Sequence, residues 1–228
     1  GTVDRNAPVS FTFDGVSYRG FQGDTVASAL LANGIGLMAR SFKYHRPRGV
    51  LTAGSEEPNA LITVGRDGAT DPNVRATVQE IYEGLEARSQ NAWPSLGFDV
   101  MAVNDLAAPF LGAGFYYKTF MWPRAFWEKL YEPIIRRAAG LGALSGKAPT
   151  DKYERAFAHC DVLVIGAGPT GLMAALKAGR SGVDVILADE DRVMGGRLNA
   201  ETFLIDGQAG SDWAATIVGK LAAMDNVR

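Results

Sequence analysis

Apolar and polar positions alternate near the start of the chain. Val9, Phe11 and Phe13 are separated by Ser10 and Thr12, Asp14-Gly15 follows, and Val16-Ser17-Tyr18 resumes the alternation. A period of two on either side of an Asp-Gly pair predicts a β-hairpin. Asp24 is placed to cap a helix that carries Val26, Ala29 and Leu30 on one face, and Asn33-Gly34 supplies its stop. Ala60-Leu61-Ile62-Thr63-Val64 reads as a further strand. Hairpin, helix, long loop and strand together suit a small β-grasp domain over residues 1–71, and residues 74–87 read as partly helical.

The second region, residues 72–152, has a different pattern. Phe115, Tyr116, Tyr117, Phe120, Trp122, Phe126, Trp127 and Tyr131 crowd together. Pro123 and Pro133 are expected to confine any helix to the interval between them. Aromatics at this density need a surface to bury against, which is either packing between domains or a docking surface for another subunit. Gly140-Leu141-Gly142-Ala143-Leu144-Ser145-Gly146 reads as a flexible connector.

The third region, residues 153–228, opens on a buried-strand run, Val162-Leu163-Val164-Ile165, that breaks into Gly166-Ala167-Gly168-Pro169-Thr170-Gly171. A helical stretch follows, then Val183-Asp184-Val185-Ile186-Leu187 and the acids Asp189 and Glu190. Strand, glycine fingerprint, helix, strand and acid form the dinucleotide-binding βαβ unit. Gly166 permits the tight turn, Gly168 lets the backbone approach a pyrophosphate, and Gly171 lets the helix pack on the strand. The amides opening the helix and its positive dipole end favour phosphate. Thr170, in that first turn, offers an N–H and a hydroxyl, or is simply a helix-start residue. Asp189 or Glu190 is placed to accept hydrogen bonds from a ribose, with Glu190 favoured on spacing, and this acidity opposes the extra phosphate of NADP.

After this unit come a turn and strand over residues 201–205 and a helical stretch over 211–224. About 70 residues cannot complete a doubly wound sheet and cover both its faces. The region is therefore expected to be the first part of a Rossmann-type FAD/NAD(P)-binding domain, completed by more of the same chain or by another polypeptide. The fold class is α/β, an α+β β-grasp region followed by that incomplete Rossmann domain.

Composition narrows the picture modestly. At 228 residues, with 47% hydrophobic and 21% charged residues, the chain is an ordinary globular one. A net charge of −2 argues against a nucleic-acid surface held by charge. No apolar run is long enough for a membrane span and no signal-peptide pattern opens the chain, so a cytoplasmic location is the default expectation. Cys160 is the single cysteine, which leaves this chain unable to form an internal disulfide or ligate a cluster by thiolates. Lys43, His45, Arg46 and Arg48 make a basic run around Pro47. With no base partner visible for His45, the run reads as a structural loop or a contact with a partner subunit, and no general acid, base, nucleophile or metal ligand is assigned.

In order along the chain, these residues resemble the N-terminal part of the alpha subunit of heterotetrameric sarcosine oxidases. The resemblance is carried by residues 23–34 (GDTVASALLANG), 41–50 (SFKYHRPRGV), 57–61 (EPNAL), 90–95 (QNAWPS) and 114–123 (GFYYKTFMWP). It implies an oxidoreductase complex that demethylates sarcosine to glycine with formation of hydrogen peroxide, the one-carbon unit passing to tetrahydrofolate. It implies beta, gamma and delta partner subunits, FAD in the beta subunit, FMN at the alpha–beta interface, and a C-terminal alpha portion that handles folate. For this segment the resemblance implies NAD, with Asp191 and Arg197 closing over it. The local pattern Gly195-Gly196-Arg197 instead favours FAD, since such a turn approaches the pyrophosphate in two-domain FAD enzymes.

Relatives with an iron–sulfur cluster in the β-grasp domain space their near cysteines Cys-x4-Cys-x2-Cys. The equivalent positions here are Thr52, Glu57 and Ala60, none of which can be a cluster thiolate. The resemblance therefore implies a ferredoxin-like 2Fe-2S fold lacking the cluster.

Overall fold

The computed structural model describes residues 3–114, 120, 122–139, 142–149, 152 and 154–228. The chain divides into two compact units, whose described residues lie in 3–152 and 154–228.

In the first unit, β1 (Asp4–Phe13) and β2 (Val16–Gln22) form the expected hairpin, with Phe13 opposite Val16 across the Asp14-Gly15 turn. Asp14 and Gly15 both take positive φ, which the tight connection requires. Helix α1 (Val26–Ala32) follows. Its N-cap is Thr25 rather than Asp24: Thr25 and Ser28 exchange side-chain bonds with each other's backbone N–H in a capping box. Asp24 sits one residue earlier and accepts from the Ser28 hydroxyl at 2.7 Å, bracing the cap. The helix stops at Asn33-Gly34, as its residues predict.

Two short strands, β3 (Ala39–Arg40) and β4 (Pro47–Arg48), pair across the basic loop. Strand β5 (Leu61–Val64) is followed by β6 (Asp71–Arg75) and β7 (Leu85–Ser89). The sheet order is β2-β1-β7-β5-β6, with β7 parallel to β1 and every other pair antiparallel. Strand β7, and all of β6 but its first residue, lie beyond residue 71, so this sheet continues past the boundary the hydrophobic pattern suggested. Residues 74–87 hold the end of one strand, a turn and the start of another, where a partial helix was expected. Val74 pairs with Ile62, and Leu85 is fully buried beside Phe11, so long-range pairing overrides the local helical preference. One face of the sheet presents Phe11, Phe13, Ile62, Val64 and Leu85 to Val26, Ala29 and Leu30 of α1. A helix laid on one face of a mixed sheet is the β-grasp arrangement.

Beyond the sheet, a 3₁₀ turn (Arg124–Phe126) and a π-type turn (Trp127–Tyr131) lead into α2 (Glu132–Ala139). Pro133 lies inside this helix rather than ending it. It occupies the first turn of α2, where its missing N–H removes no α-helical bond. Phe120 and Phe126 pack on the Tyr131 ring, and Tyr131 donates to the Trp122 carbonyl at 3.1 Å. Phe115, Tyr116 and Tyr117 lie outside the described residues. Of the connector, residues 142–146 are described, and they are not free: Gly142 N–H donates to Asn73 Oδ1, and neighbouring Lys147 pairs with Asp67.

In the second unit, β8 (Val162–Ile165) and β9 (Val185–Ala188) are parallel and joined by α3 (Pro169–Arg180). Residues 226–228 run alongside β9 as a third parallel segment, with Val185 N–H donating to the Asn226 carbonyl and Leu187 N–H to that of Arg228. A small hairpin, β10 (Leu204–Ile205) and β11 (Gln208–Ala209), precedes α4 (Gly210–Ala222). Leu172, Ala175 and Leu176 of α3 pack with Val185, Leu187, Ile217 and Leu221 into one core. The opposite face of β8 is bare, with Ile165 82% exposed. Among the described residues no helix is long and apolar enough to cross a membrane.

Candidate nucleotide-binding site

The site is built where β8 ends. Gly166 takes φ +97°, a conformation few other residues adopt, and its N–H donates to the Ala188 carbonyl of β9 at 2.8 Å. Gly168 is the N-cap of α3 and Pro169 its first residue. A Cβ on Gly171 would lie 1.8 Å from the Gly166 carbonyl oxygen, so the helix reaches the strand this closely only with glycine there. A Cβ on Gly168 would meet nothing within 4 Å, so the backbone there faces open space. Thr170 is exposed in the first turn. The N–H groups of Thr170 and Gly171, second and third in the helix, have no intrahelical acceptor. Together with the helix dipole they present a positive end that favours an anion.

Asp189 and Glu190 have different surroundings. The Asp189 carboxylate accepts the Ala167 N–H with one oxygen and the Asp191 N–H at 2.7 Å with the other. It therefore ties the glycine turn to the end of β9. Glu190, next along, is exposed and forms no such tie.

A second glycine turn lies directly on the first. Gly195 takes φ +131° and Gly196 φ +54°. The Gly195 N–H donates to the Ala167 carbonyl at 2.9 Å, and a Cβ on Gly196 would lie 3.2 Å from the Gly168 Cα. Asn199 holds this turn by donating to the Val193 and Met194 carbonyls, and buried Leu198 anchors it in the core. Arg197 is turned elsewhere, pairing with Glu201 at 3.0 Å. Gly166, Gly168, Thr170, Gly171, Asp189 and Asp191 are thus brought together at the head of α3, while Arg197 is not tied to them. Asn199 and Ala167 escaped sequence reasoning, because their contributions are a side-chain clip and two backbone groups that no motif spells out.

The basic run in the first unit is structural in its contacts. His45 Nδ1 lies 2.6 Å from Asp99 Oδ2, both side chains buried, and the other Asp99 oxygen accepts the N–H groups of Trp93 and Met101. The base partner that the sequence did not reveal therefore exists, 54 positions away in the chain. Arg40 donates to the carbonyls of His45 and Leu96, Tyr44 to that of Leu111, and Arg46 pairs with Asp105. The loop is knitted to residues 96–111. Among the described residues no cluster of histidine, cysteine and acidic side chains could hold a metal ion.

Comparison with known proteins gives consistent likenesses. Residues 6–92 match the 2Fe-2S iron-sulfur cluster binding domain family, and residues 161–223 match the FAD dependent oxidoreductase family. The chain is 66% identical to the sarcosine oxidase subunit alpha of Rhizobium meliloti over 100% of its own length, which is 23% of that relative. It is 34% identical to the sarcosine oxidase subunit alpha of Corynebacterium sp. (strain U-96), over 98% of this chain and 18% of that one. Among solved structures, L-proline dehydrogenase from P. horikoshii aligns with a TM-score of 0.53 at 20% identity, over 99% of this chain and 33% of that one. The last likeness concerns the fold alone. The chain therefore spans about a quarter or less of the curated relatives it matches.

Proposed function

Because the chain is homologous along its whole length to sarcosine oxidase alpha subunits, we propose that it forms the nucleotide-holding and assembly-forming part of such a subunit. The activity proposed for the complete complex is oxidative demethylation of sarcosine to glycine, with hydrogen peroxide as co-product and tetrahydrofolate as one-carbon acceptor. Its partners would be beta, gamma and delta subunits and the remainder of the alpha chain, with FAD and FMN held in the assembly and FMN at a subunit interface. This segment itself supplies no catalytic group in that reading.

The observation that carries the local part is the crevice of two stacked glycine turns at the head of α3. Its residues suit an adenine dinucleotide, which we propose is NAD. The amides of Gly168, Thr170 and Gly171 would take the diphosphate. Glu190 would take a ribose hydroxyl, since Asp189 already holds Ala167 and Asp191. Gly166 shapes the turn, and Arg197 would have to release Glu201 to close over the ligand. NAD is hydride chemistry's usual carrier, but here it would serve as a staple for the fold.

FAD is the second reading, and two observations favour it: the family match over residues 161–223, and the close approach of Gly196 to Gly168. Denaturing the natively purified complex and identifying the nucleotide released from the separated alpha subunit decides between them. NAD in a one-to-one ratio supports the first reading. FAD traced to the alpha subunit overturns the choice of NAD, and no nucleotide at all overturns both.

A further inference from the structure

The first unit has the fold of an iron–sulfur domain, but the residues at the cluster positions do not fit a cluster. Thr52, Glu57 and Ala60 stand at the Cys-x4-Cys-x2-Cys spacing, and none offers a thiolate. The loop between them nevertheless closes around something. The Glu57 side chain is turned inward, with Glu57 1% exposed. One of its carboxylate oxygens accepts the N–H groups of Leu51 and Thr52, each at 2.7 Å, and the Thr52 hydroxyl at 3.2 Å. The other accepts the N–H groups of Asn59 at 2.7 Å and Ala60 at 3.2 Å. All three cluster positions thus meet at a single carboxylate. Among the described residues no basic side chain pairs with it.

A ring of convergent backbone N–H groups is an anion nest. In iron–sulfur domains the anion at the centre of such a loop is the cluster, whose sulfurs accept hydrogen bonds. We propose that Glu57 is a built-in replacement for that anion: the loop over residues 51–60 remains an anion-binding site, and its resident ligand is the chain's own carboxylate. The electrostatics agree. Burial by itself would raise the pKa of Glu57, yet the bonds from Thr52, Asn59, Leu51 and Ala60 outweigh it and hold the carboxyl below the ordinary range. The loop is tied to the sheet region as well, since Thr77 donates its hydroxyl to the Gly54 carbonyl at 2.7 Å. This inference is independent of the nucleotide reading.

The nest, once vacated, should accept a small planar carboxylate. The test is amide hydrogen exchange, read by mass spectrometry on the peptide covering residues 51–60, in the complete alpha subunit within its complex. Native protein should exchange slowly there. Glu57→Ala should exchange at least about tenfold faster, the loss expected for amides deprived of a charged acceptor. Sodium formate should restore much of that protection, and sodium chloride at equal ionic strength should restore less. Native-like exchange in Glu57→Ala, or equal effects of the two salts, overturns the proposal. If the alanine variant does not assemble, Glu57→Gln serves instead. Its amide group turns two donors toward the nest, so exchange should quicken and formate should not help. Unchanged exchange in Glu57→Gln overturns the proposal equally.

Discussion

The last two glycines of the fingerprint make opposite predictions, and the contrast tests how the site is built. A methyl at Gly171 would sit 1.8 Å from the Gly166 carbonyl oxygen, against an ordinary contact of about 3.4 Å or more. Relief requires α3 and the end of β8 to part by more than about 1 Å, in a unit whose core lies between them. Overpacking of this kind costs about 1–3 kcal/mol or more, so Gly171→Ala should destabilise the protein whether or not nucleotide is present. A methyl at Gly168 meets nothing within 4 Å, and its φ of −67° suits any residue. Gly168→Ala should therefore change the stability of nucleotide-free protein by less than about 1 kcal/mol, the range of N-cap and backbone-entropy effects. On the proposed reading, its methyl would nonetheless stand where the diphosphate approaches the backbone. Losing one charge-assisted hydrogen bond there weakens binding by about ten- to a hundredfold. The assay pairs nucleotide titration with thermal unfolding of stripped and loaded complex. Full-affinity binding by Gly168→Ala, or native stability in Gly171→Ala, would refute the reasoning.

Glu190→Ala should weaken nucleotide binding roughly tenfold without changing the unfolding of stripped protein, as titration and calorimetry can check; Asp189→Ala should lower both, because its carboxylate holds the glycine turn. The carboxyl of Glu57 is held below its unfolded value, so its contribution to stability is present above the ordinary carboxylate range and lost as the pH falls through the folded value. Acid unfolding of native protein should show that loss, and Glu57→Gln should flatten the profile; an unchanged profile counts against the sign. Asp99→Ala strands the N–H groups of Trp93 and Met101 and the His45 ring, and should cost about 3 kcal/mol in denaturant unfolding. The exposed Asp67–Lys147 pair lowers the Asp67 value through that bond, but Lys147→Ala should leave the melting temperature unchanged, since solvent screens such pairs.

Much of the fold could be read from local pattern. The hairpin, α1, β5 and the βαβ unit all carry their own periodicity and punctuation, so Phe11, Leu30, Ile62 and Leu172 are where alternation or helical spacing puts them. What escaped depends on partners distant in sequence. Residues 74–87 read as partly helical because nothing local reveals that Leu85 lies beside Phe11. Pro133 reads as a helix terminator in sequence because its position within the helix, not its identity, decides its effect. The crevice was half legible: the glycines announce themselves, but the tie from Asp189 to Ala167 and the seating of Gly195 on the same residue need three dimensions. Asp99 and the loop amides around Glu57 were invisible for the same reason, being acceptor and donor sets drawn from separate turns.

The central claim is that the amides opening α3 hold a diphosphate beneath the Gly195-Gly196 turn. Experimental density for the complete assembly, purified with its native nucleotide, tests it most directly. The account predicts phosphate oxygens on the N–H groups of Gly168, Thr170 and Gly171, with a ribose hydroxyl at Glu190. A crevice filled by protein side chains, in an assembly whose flavins are all in place, would contradict it.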